Sequence, residues 1–342
     1  MKKMIIGIHG LGNKPPANIL KDWWLRAMRE GLTRLNFDTK EIPFELVFWA
    51  DILHPELLDT EISDKHQPGY VEEPYVPGST TGDPLRESLR AKLFKYVDKQ
   101  LDSIFLDEDM TLNLAGVTDV IIRKYFGDLG AYFQDDCVSL TNQDCSARKH
   151  IQDRLLTVLK KYSGYDILLV GHSMGSIVAF DILSRYADEL KINTFVTIGS
   201  PLGLPFIMGR ELARQRSQNP DLKRPMVPES IQKQWINLAD IEDKVAMDHA
   251  LNDDYLKNQK GVGIEDHAVY NDYAIDGKRN PHKSFGYLRT PEFSGILEGF
   301  LTSPSRSSWR DSFVTFVDRL QQKFQLVWNQ IRKKSDDKVL EE

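Results

Sequence analysis

The sequence predicts an α/β protein whose mainly parallel sheet is covered by helices on both faces. Apolar segments of strand length alternate along the chain with segments whose apolar residues repeat at helical spacing. Glycine-rich turns follow several of the apolar segments, at residues 10–12, 171–175 and 199–201. Strands that end in turns and lead into helices are typical of a parallel sheet that is buried on both faces.

The first part of the chain predicts two strands and the helix between them. Residues 4–9 form an apolar run that ends at a Gly-Leu-Gly turn, and residues 44–50 are rich in residues that favour strands. Residues 18–35 predict a helix, because their apolar residues recur on one side. These are Leu20, Trp23, Trp24, Ala27, Met28 and Leu32.

The second part predicts four more strands with helices among them. The strands span residues 166–170, 193–198, 234–239 and 268–275, each a run of apolar and β-forming residues. The helices span residues 147–162, 173–190 and 292–301, where apolar residues repeat at helical spacing. Residues 202–232 contain several glycines and prolines and are predicted to form a mobile excursion.

Domain organisation follows from a long interruption of this pattern. Residues 1–50 and 147–303 form the predicted core. Residues 51–146 predict a helical cap inserted into it, with a Pro- and Gly-rich loop followed by helices at 85–105 and 112–133. Residues 304–342 predict a terminal helix and tail. How the cap acts cannot be read from the sequence.

The predicted terminal helix, residues 308–334, is amphipathic and ends in basic residues. Two interpretations stay open. The helix docks on its own domain, which we favour because its polar face carries acids as well as bases. Alternatively, it makes a peripheral membrane or homodimer contact.

Bulk composition narrows the function classes. The chain has 342 residues, of which 41% are hydrophobic and 27% charged, as is ordinary for a soluble globular protein. A net charge of −6 argues against a nucleic-acid partner. Its two cysteines, Cys137 and Cys145, form neither a metal-ligand pattern nor a disulfide framework, and no apolar stretch is long enough to cross a membrane. We therefore expect a cytoplasmic protein.

Residues 166–180 contain the most informative motif. A buried-type strand leads into Gly-His-Ser-Met-Gly at 171–175, and a helix follows. This places Ser173 on a sharp strand-to-helix turn, where a serine takes a strained positive-φ conformation and acts as a nucleophile. Gly171 and Gly175 flank it because side chains there would collide with the turn or the helix. The alternative is a helix N-terminus that Ser173 caps.

A serine nucleophile needs a general base and a carboxylate that orients the base. With this turn, the chain order is normally serine, acid, histidine. We predict His282 as the base, because it lies in a loop after the last predicted strand; His267 is the alternative. Asp243 is our preferred acid, since it opens an Asp-Lys-Val sequence after strand 234–239, with Asp240 as the alternative.

Two backbone N–H groups must stabilise the oxyanion that forms in acyl transfer. The residue after the nucleophile, Met174, supplies one of them. The loop after the first strand, His9 to Gly12, suits the other, because its glycines let the backbone approach a substrate closely. Leu11 is the predicted donor.

Together these motifs resemble the α/β-hydrolase superfamily, and within it serine hydrolases of the lipase or esterase type. The matching segments are residues 9–12, 171–175, 199–201, 243–245 and His282. The resemblance implies a three-layer α/β-hydrolase fold, a Ser-Asp-His triad, and neither metal nor organic cofactor. The first strand already leads into the oxyanion loop, so the two leading strands of the common eight-stranded sheet are missing, and we expect about six core strands.

The resemblance also implies which residues line the substrate site. They are His9, Gly10, Gly12, His172, Ser200 and Pro201. Leu204, Phe206, Ile207 and Met208 follow them and belong either to a lid or acyl-pocket wall or to simple packing.

We therefore expect an esterase or lipase that cleaves a small-molecule or lipid carboxylic ester through an acyl-enzyme. A thioesterase, an amidase or an acyltransferase would use the same triad, because the nucleophile does not fix the leaving group. A non-catalytic binding or scaffold protein on a hydrolase fold is the alternative from another class. Acyl length, head group and oligomeric state cannot be read from the sequence.

Overall fold

A six-stranded parallel sheet forms the centre of the molecule. The computed structural model describes residues 2–37, 41–78, 132, 147–217 and 219–303. The strands are β1 (Lys3–Ile8), β2 (Phe44–Val47), β3 (Asp166–His172), β4 (Ile192–Ile198), β5 (Ile231–Ala239) and β6 (Ile264–Ala268). Their order is β2-β1-β3-β4-β5-β6, and every neighbouring pair is parallel. The expected mainly parallel sheet of about six core strands is confirmed.

Helices cover both faces of this sheet. They are α1 (Ala17–Arg34), α2 (Ala50–Leu53), α3 (Ala147–Lys161), α4 (Met174–Arg185), α5 (Pro205–Arg216), α6 (Ser284–Leu288) and α7 (Pro291–Thr302). Helices α1, α6 and α7 pack together over one apolar cluster, which contains Trp24 and Phe293. Helices α3 and α4 pack over the other, which contains Leu155 and Trp235. The result is the three-layer arrangement that buried parallel strands require.

The prediction for the last strand was wrong. The structure ends the sheet with Ile264–Ala268, whereas the sequence predicted a strand over 268–275. The observed strand has the sequence Ile-Glu-Asp-His-Ala and is only half-buried, because it lies at the edge of the sheet and so lacks a core strand's apolar run. Within 268–275, Ala274–Ile275 (β7) pairs with Lys278–Arg279 (β8) in a hairpin. Its Asp276-Gly277 turn has positive φ at both positions, as a two-residue hairpin turn requires.

Two further segments differ from their predictions. The second strand, predicted over 44–50, ends at Val47, and Ala50–Leu53 forms a short helix. Within the predicted mobile excursion 202–232, Pro205–Arg216 is helical. Leu204 and Ile207 are buried in the core there, whereas Phe206 is 36% exposed. Leu204 and Ile207 therefore serve packing.

Most of the predicted cap lies outside the described residues, as do both of its predicted helices and the terminal helix 308–334. Residues 51–78 and Tyr132 are described, and both parts contact the core. Val71 is buried in the cluster beneath α1, and Tyr132 is buried against α3 and α4. Among the helices that the structure describes, none is long and apolar enough to cross a membrane.

We expect the cluster around Trp235 to dominate the stability of the core. The Trp235 side chain is fully buried, and its ring packs against Phe180, Phe195 and Tyr255. Trp235→Ala should lower the free energy of unfolding by about 3–5 kcal/mol, because it leaves a large cavity. Urea titration measures this, with Phe206→Ala as the exposed aromatic control. A loss no larger than the control's would contradict the prediction.

Candidate active site

Loops from four parallel strands meet at the carboxyl edge of the sheet, where ligands bind in open α/β folds. These loops approach one another so closely that two positions have no room for a side chain. A Cβ on Gly10, after β1, would lie 2.6 Å from the Cβ of Ser173, after β3. A Cβ on Gly199, after β4, would lie 2.8 Å from Oδ2 of Asp243, which follows β5. The glycines are therefore needed where these loops come together.

Ser173 itself occupies a strained turn. Its φ is +54°, a backbone conformation that residues other than glycine rarely adopt. Ser173 directly precedes α4. A Cβ on Gly171 would lie 2.8 Å from Cα of Ser176, and one on Gly175 would lie 2.5 Å from the carbonyl oxygen of Ile8. The sharp strand-to-helix turn is thus observed, and both flanking glycines are sterically required.

Two buried hydroxyls support this turn from behind. Ser176 Oγ donates to the carbonyl oxygen of Ser173 at 2.5 Å, and Ser200 Oγ lies 2.7 Å from Ser176 Oγ. Because the Ser176 proton is already used, Ser200 donates to Ser176. Ser200 is only 2% exposed and Pro201 is buried too. The Ser200 hydroxyl therefore helps to hold the serine turn through Ser176, and its predicted substrate contact stays a prediction.

The structure brings Ser173, His282 and Asp243 into one line of hydrogen bonds. His282 Nε2 lies 3.0 Å from Ser173 Oγ, and His282 Nδ1 lies 2.9 Å from both carboxylate oxygens of Asp243. The carboxylate accepts from Nδ1–H, so Nε2 is left to accept the serine proton. Ser173 and Asp243 are buried, whereas the His282 side chain is 20% exposed. Water can therefore reach the imidazole.

Asp243 is held as a carboxylate. Burial alone would raise its pKa, but His282 and the hydrogen bonds from His282, Tyr287 and the Val245 N–H outweigh burial and keep the pKa low. Tyr287 Oη donates to Asp243 Oδ2 at 2.7 Å and accepts from the Asp240 N–H at 2.9 Å. The carboxylate is therefore fixed opposite the imidazole.

The alternative acid, Asp240, is engaged elsewhere. Its carboxylate accepts hydrogen bonds from Arg279 and, at 2.7 Å, from the Asn271 N–H. Burial raises the pKa of Asp240, and those donors offset only part of that effect. The alternative base, His267, lies within β6 with Nε2 3.3 Å from Glu265. The geometry favours Asp243 and His282 over both alternatives.

The loop that carries His282 is fastened from two sides. Asn271 Nδ2 donates to the carbonyl oxygens of Pro281 and Lys283, each at 2.8 Å. His172 Nε2 donates to the carbonyl oxygen of His282 at 2.8 Å. Burial lowers the pKa of His172 well below its usual value, with the nearby His282 adding to the effect. His172 is thus a neutral donor that fixes the backbone of the predicted base.

The loop after β1 is fixed by His9. Its Nε2 accepts from the Trp49 N–H at 3.0 Å, so the ring proton is on Nδ1, which donates to the Gly10 carbonyl at 2.8 Å. Trp49 Nε1 donates to the His9 carbonyl at 2.9 Å, and the two rings stack. Both ring nitrogens of His9 are occupied, so it holds the loop instead of offering them to a substrate. Burial lowers its pKa well below the usual value.

These contacts also orient the predicted oxyanion donors. In a planar trans peptide, the N–H points away from the C=O that precedes it. His9 binds the Gly10 carbonyl, which turns the Leu11 N–H away from the His9 ring. Lys14 Nζ binds the Leu11 carbonyl and, at 2.8 Å, the Gly12 carbonyl. The Met174 N–H, at the first position of α4, has no acceptor within its own helix. Leu11 and Met174 therefore remain the predicted donors to the oxyanion.

Within the described part of the chain, no group of three or more His, Cys, Asp or Glu side chains could hold a metal ion. The polar side chains around Ser173 bind one another and nearby backbone groups.

Sequence reasoning missed the residues that support these side chains. Tyr287, Asn271 and Trp49 each contact a predicted site residue or its loop. None lies in a recognisable motif, and Trp49 was assigned to a strand. No signal in a single sequence distinguishes such residues from ordinary buried polar and aromatic ones.

Comparison with known proteins finds two partial matches, both to lipases or phospholipases. The family model described as Lipase (class 3) matches residues 77–220, less than half of the chain, and this region includes Ser173 but neither Asp243 nor His282. A probable phospholipase of Saccharomyces cerevisiae, described as mitochondrial, is 42% identical over 62 residues. That match covers 17% of this chain and only 9% of the yeast protein. No solved structure matches the chain.

The parallel sheet with helices on both faces and the strained serine turn form an α/β-hydrolase fold. Over parts of its length the chain is similar to class 3 lipases and to a probable phospholipase.

We expect acid to weaken the fold through His9 and His172. Their pKa values are lower in the folded chain than in the unfolded chain. Below about pH 6.5 the unfolded chain therefore binds more protons, and the free energy of unfolding falls as the pH falls. Each histidine contributes at most about 1.4 kcal/mol per pH unit.

The measurement must separate this effect from that of Glu211. Burial and the nearby Asp181 raise the pKa of Glu211 to about 7, so its stabilising contribution is lost as the pH rises. We would compare wild type with His172→Gln by urea unfolding at about pH 7.5 and about pH 5.5. The wild type should lose more stability on acidification than the variant. Equal losses would contradict the low pKa of His172.

Proposed function

We propose that this protein hydrolyses carboxylic esters, with a lipid ester as the substrate class, through an acyl-enzyme on Ser173. The observation that carries the proposal is the hydrogen-bonded line from Ser173 through His282 to Asp243, with Nε2 at 3.0 Å from the serine oxygen. This spacing lets the imidazole take the serine proton as the oxygen attacks.

In the proposed acylation step, Ser173 Oγ bonds to the ester carbonyl carbon while its proton moves to His282 Nε2. The carbonyl π electrons move onto oxygen, which the N–H groups of Leu11 and Met174 stabilise. The tetrahedral intermediate then expels the alcohol, which takes the proton from His282. Asp243 stays ionised and stabilises the imidazolium.

In the proposed deacylation step, His282 takes a proton from water, and the resulting oxygen nucleophile attacks the acyl-enzyme. About one fifth of the His282 side chain is exposed, which is compatible with water reaching the imidazole. Collapse of the second intermediate releases the acid, and the proton returns to Ser173.

Support for a lipid ester comes from the relatives. The matching family model is that of class 3 lipases, and the yeast relative is described as a probable phospholipase. Neither match extends over the whole of this chain. A thioester, an amide or acyl transfer would use the same three side chains, so the leaving group has to be measured. A panel of short and long p-nitrophenyl esters, a phosphoglycerolipid, an acyl thioester and an amide separates these substrates.

Replacing Ser173 with Ala should abolish ester hydrolysis and covalent labelling by a fluorophosphonate, because no oxygen remains to form the covalent bond. His282→Ala should lower kcat by about a thousandfold or more. Circular dichroism would check that both variants fold. Undiminished hydrolysis by Ser173→Ala would rule out the proposed nucleophile, and a wild type that neither turns over esters nor reacts with the probe would favour a non-catalytic protein.

A matched pair of variants tests the assignment of the acid. Asp243→Asn should lower kcat by about ten-thousandfold, because an amide favours the wrong tautomer of His282. Asp240→Asn should reduce kcat far less, since Asp240 binds Arg279 and Asn271 instead of the imidazole. Steady-state kinetics on one ester measures both. The reverse ranking would assign the role to Asp240.

A further inference from the structure

Residues 71–78, within the predicted cap of residues 51–146, lie against the loop that carries His282. Glu73 makes the central contact. Its Oε1 accepts from Asn280 Nδ2 at 2.6 Å, and its Oε2 pairs with Lys283 Nζ at 3.0 Å. One carboxylate therefore bridges two residues on either side of Pro281-His282.

Asn280 connects Glu73 to His282 through two hydrogen bonds. Its Oδ1 accepts the backbone N–H of His282 at 3.0 Å, while its Nδ2 is held by Glu73. The nitrogen of this amide binds Glu73 and its oxygen binds the His282 N–H. The amide is rigid, so Glu73 helps to hold the His282 backbone in place. Asn271 fastens the same loop from its other side.

The segment around Glu73 is itself anchored to the core. Tyr273 Oη donates to the Pro74 carbonyl at 2.6 Å, and Arg289 donates to the Val76 carbonyl at 2.6 Å. Tyr75 Oη donates to Glu30 on α1 at 2.8 Å. These contacts make the segment a fixed support for the histidine loop.

Glu73 carries its charge in this setting. Partial burial would raise its pKa, but Lys283 and the hydrogen bond from Asn280 outweigh burial and keep the pKa below its usual value. A half-exposed ion pair alone contributes little to stability. What distinguishes Glu73 is that both of its contacts restrain one short loop.

We propose that Glu73 is a positioning residue that holds the loop of the general base His282, so that residues 71–78 of the predicted cap restrain the triad. The inference rests on the proposed function, since it assigns His282 the role of base. Glu73 acts through Asn280 and Lys283 and does not contact the reacting atoms.

The first test is Glu73→Gln, with Glu72→Gln as the matched control because Glu72 is the exposed neighbour. Glu73→Gln should lower kcat about fivefold, equivalent to about 1 kcal/mol, and leave KM nearly unchanged. Glu72→Gln should match wild type. A kcat for Glu73→Gln equal to that of the control would overturn the inference while the proposed function stands.

Two further variants separate positioning from a general loss of structure. In a His282→Ala background, Glu73→Gln should leave the residual fluorophosphonate labelling rate unchanged, because its effect passes through the missing imidazole. The exchange variant, Glu73→Lys with Lys283→Glu, should recover part of the kcat that Glu73→Lys alone loses. Equal slowing in the His282→Ala background, or no recovery on exchange, would overturn the inference. A wild type that is inert towards esters and the probe would remove the proposed function and this inference together.

Discussion

The backbone of Ser173 is the constraint on which the site depends. A non-glycine residue at φ +54° is strained by about 1–3 kcal/mol, so neighbouring groups must hold it there. Gly171 and Gly175 lack the side chains that would obstruct the turn. The Ser176 hydroxyl donates to the Ser173 carbonyl, and the Ser200 hydroxyl donates to Ser176. The strain directs Oγ out of the sheet edge towards His282.

Around this turn, most of the polar groups position one another. Asp240, which is not the partner of His282, binds the Asn271 N–H, and the Asn271 side chain holds the carbonyls on both sides of His282. Tyr287 joins Asp240 to Asp243 through one hydroxyl. The two candidate acids therefore work in one network, in which Asp243 faces the imidazole and Asp240 holds its loop.

A feature of the structure could be predicted when its signal lies within a short stretch of neighbouring residues. The serine turn and the strands before it are local patterns, so the fold class and the position of Ser173 could be predicted. The edge strand Ile264–Ala268 was missed because its burial depends on its place in the sheet and its residues are mostly polar. Tyr287 and Asn271 were missed because their roles arise from contacts far apart in sequence. His9 and Ser200 were predicted to line the substrate site. The structure adds their backbone and hydroxyl partners, which a sequence cannot show.

The proposed hydrolysis requires a covalent acyl intermediate on Ser173. Rapid acid quench of the wild-type protein with a p-nitrophenyl ester, followed by intact-mass and peptide mass spectrometry, observes that intermediate directly. We expect a mass increase of one acyl group, located on the peptide that contains Ser173, which builds up when a bulky acyl group slows deacylation. Ester turnover with the acyl group on another residue, or with none trapped under any of these conditions, would contradict it.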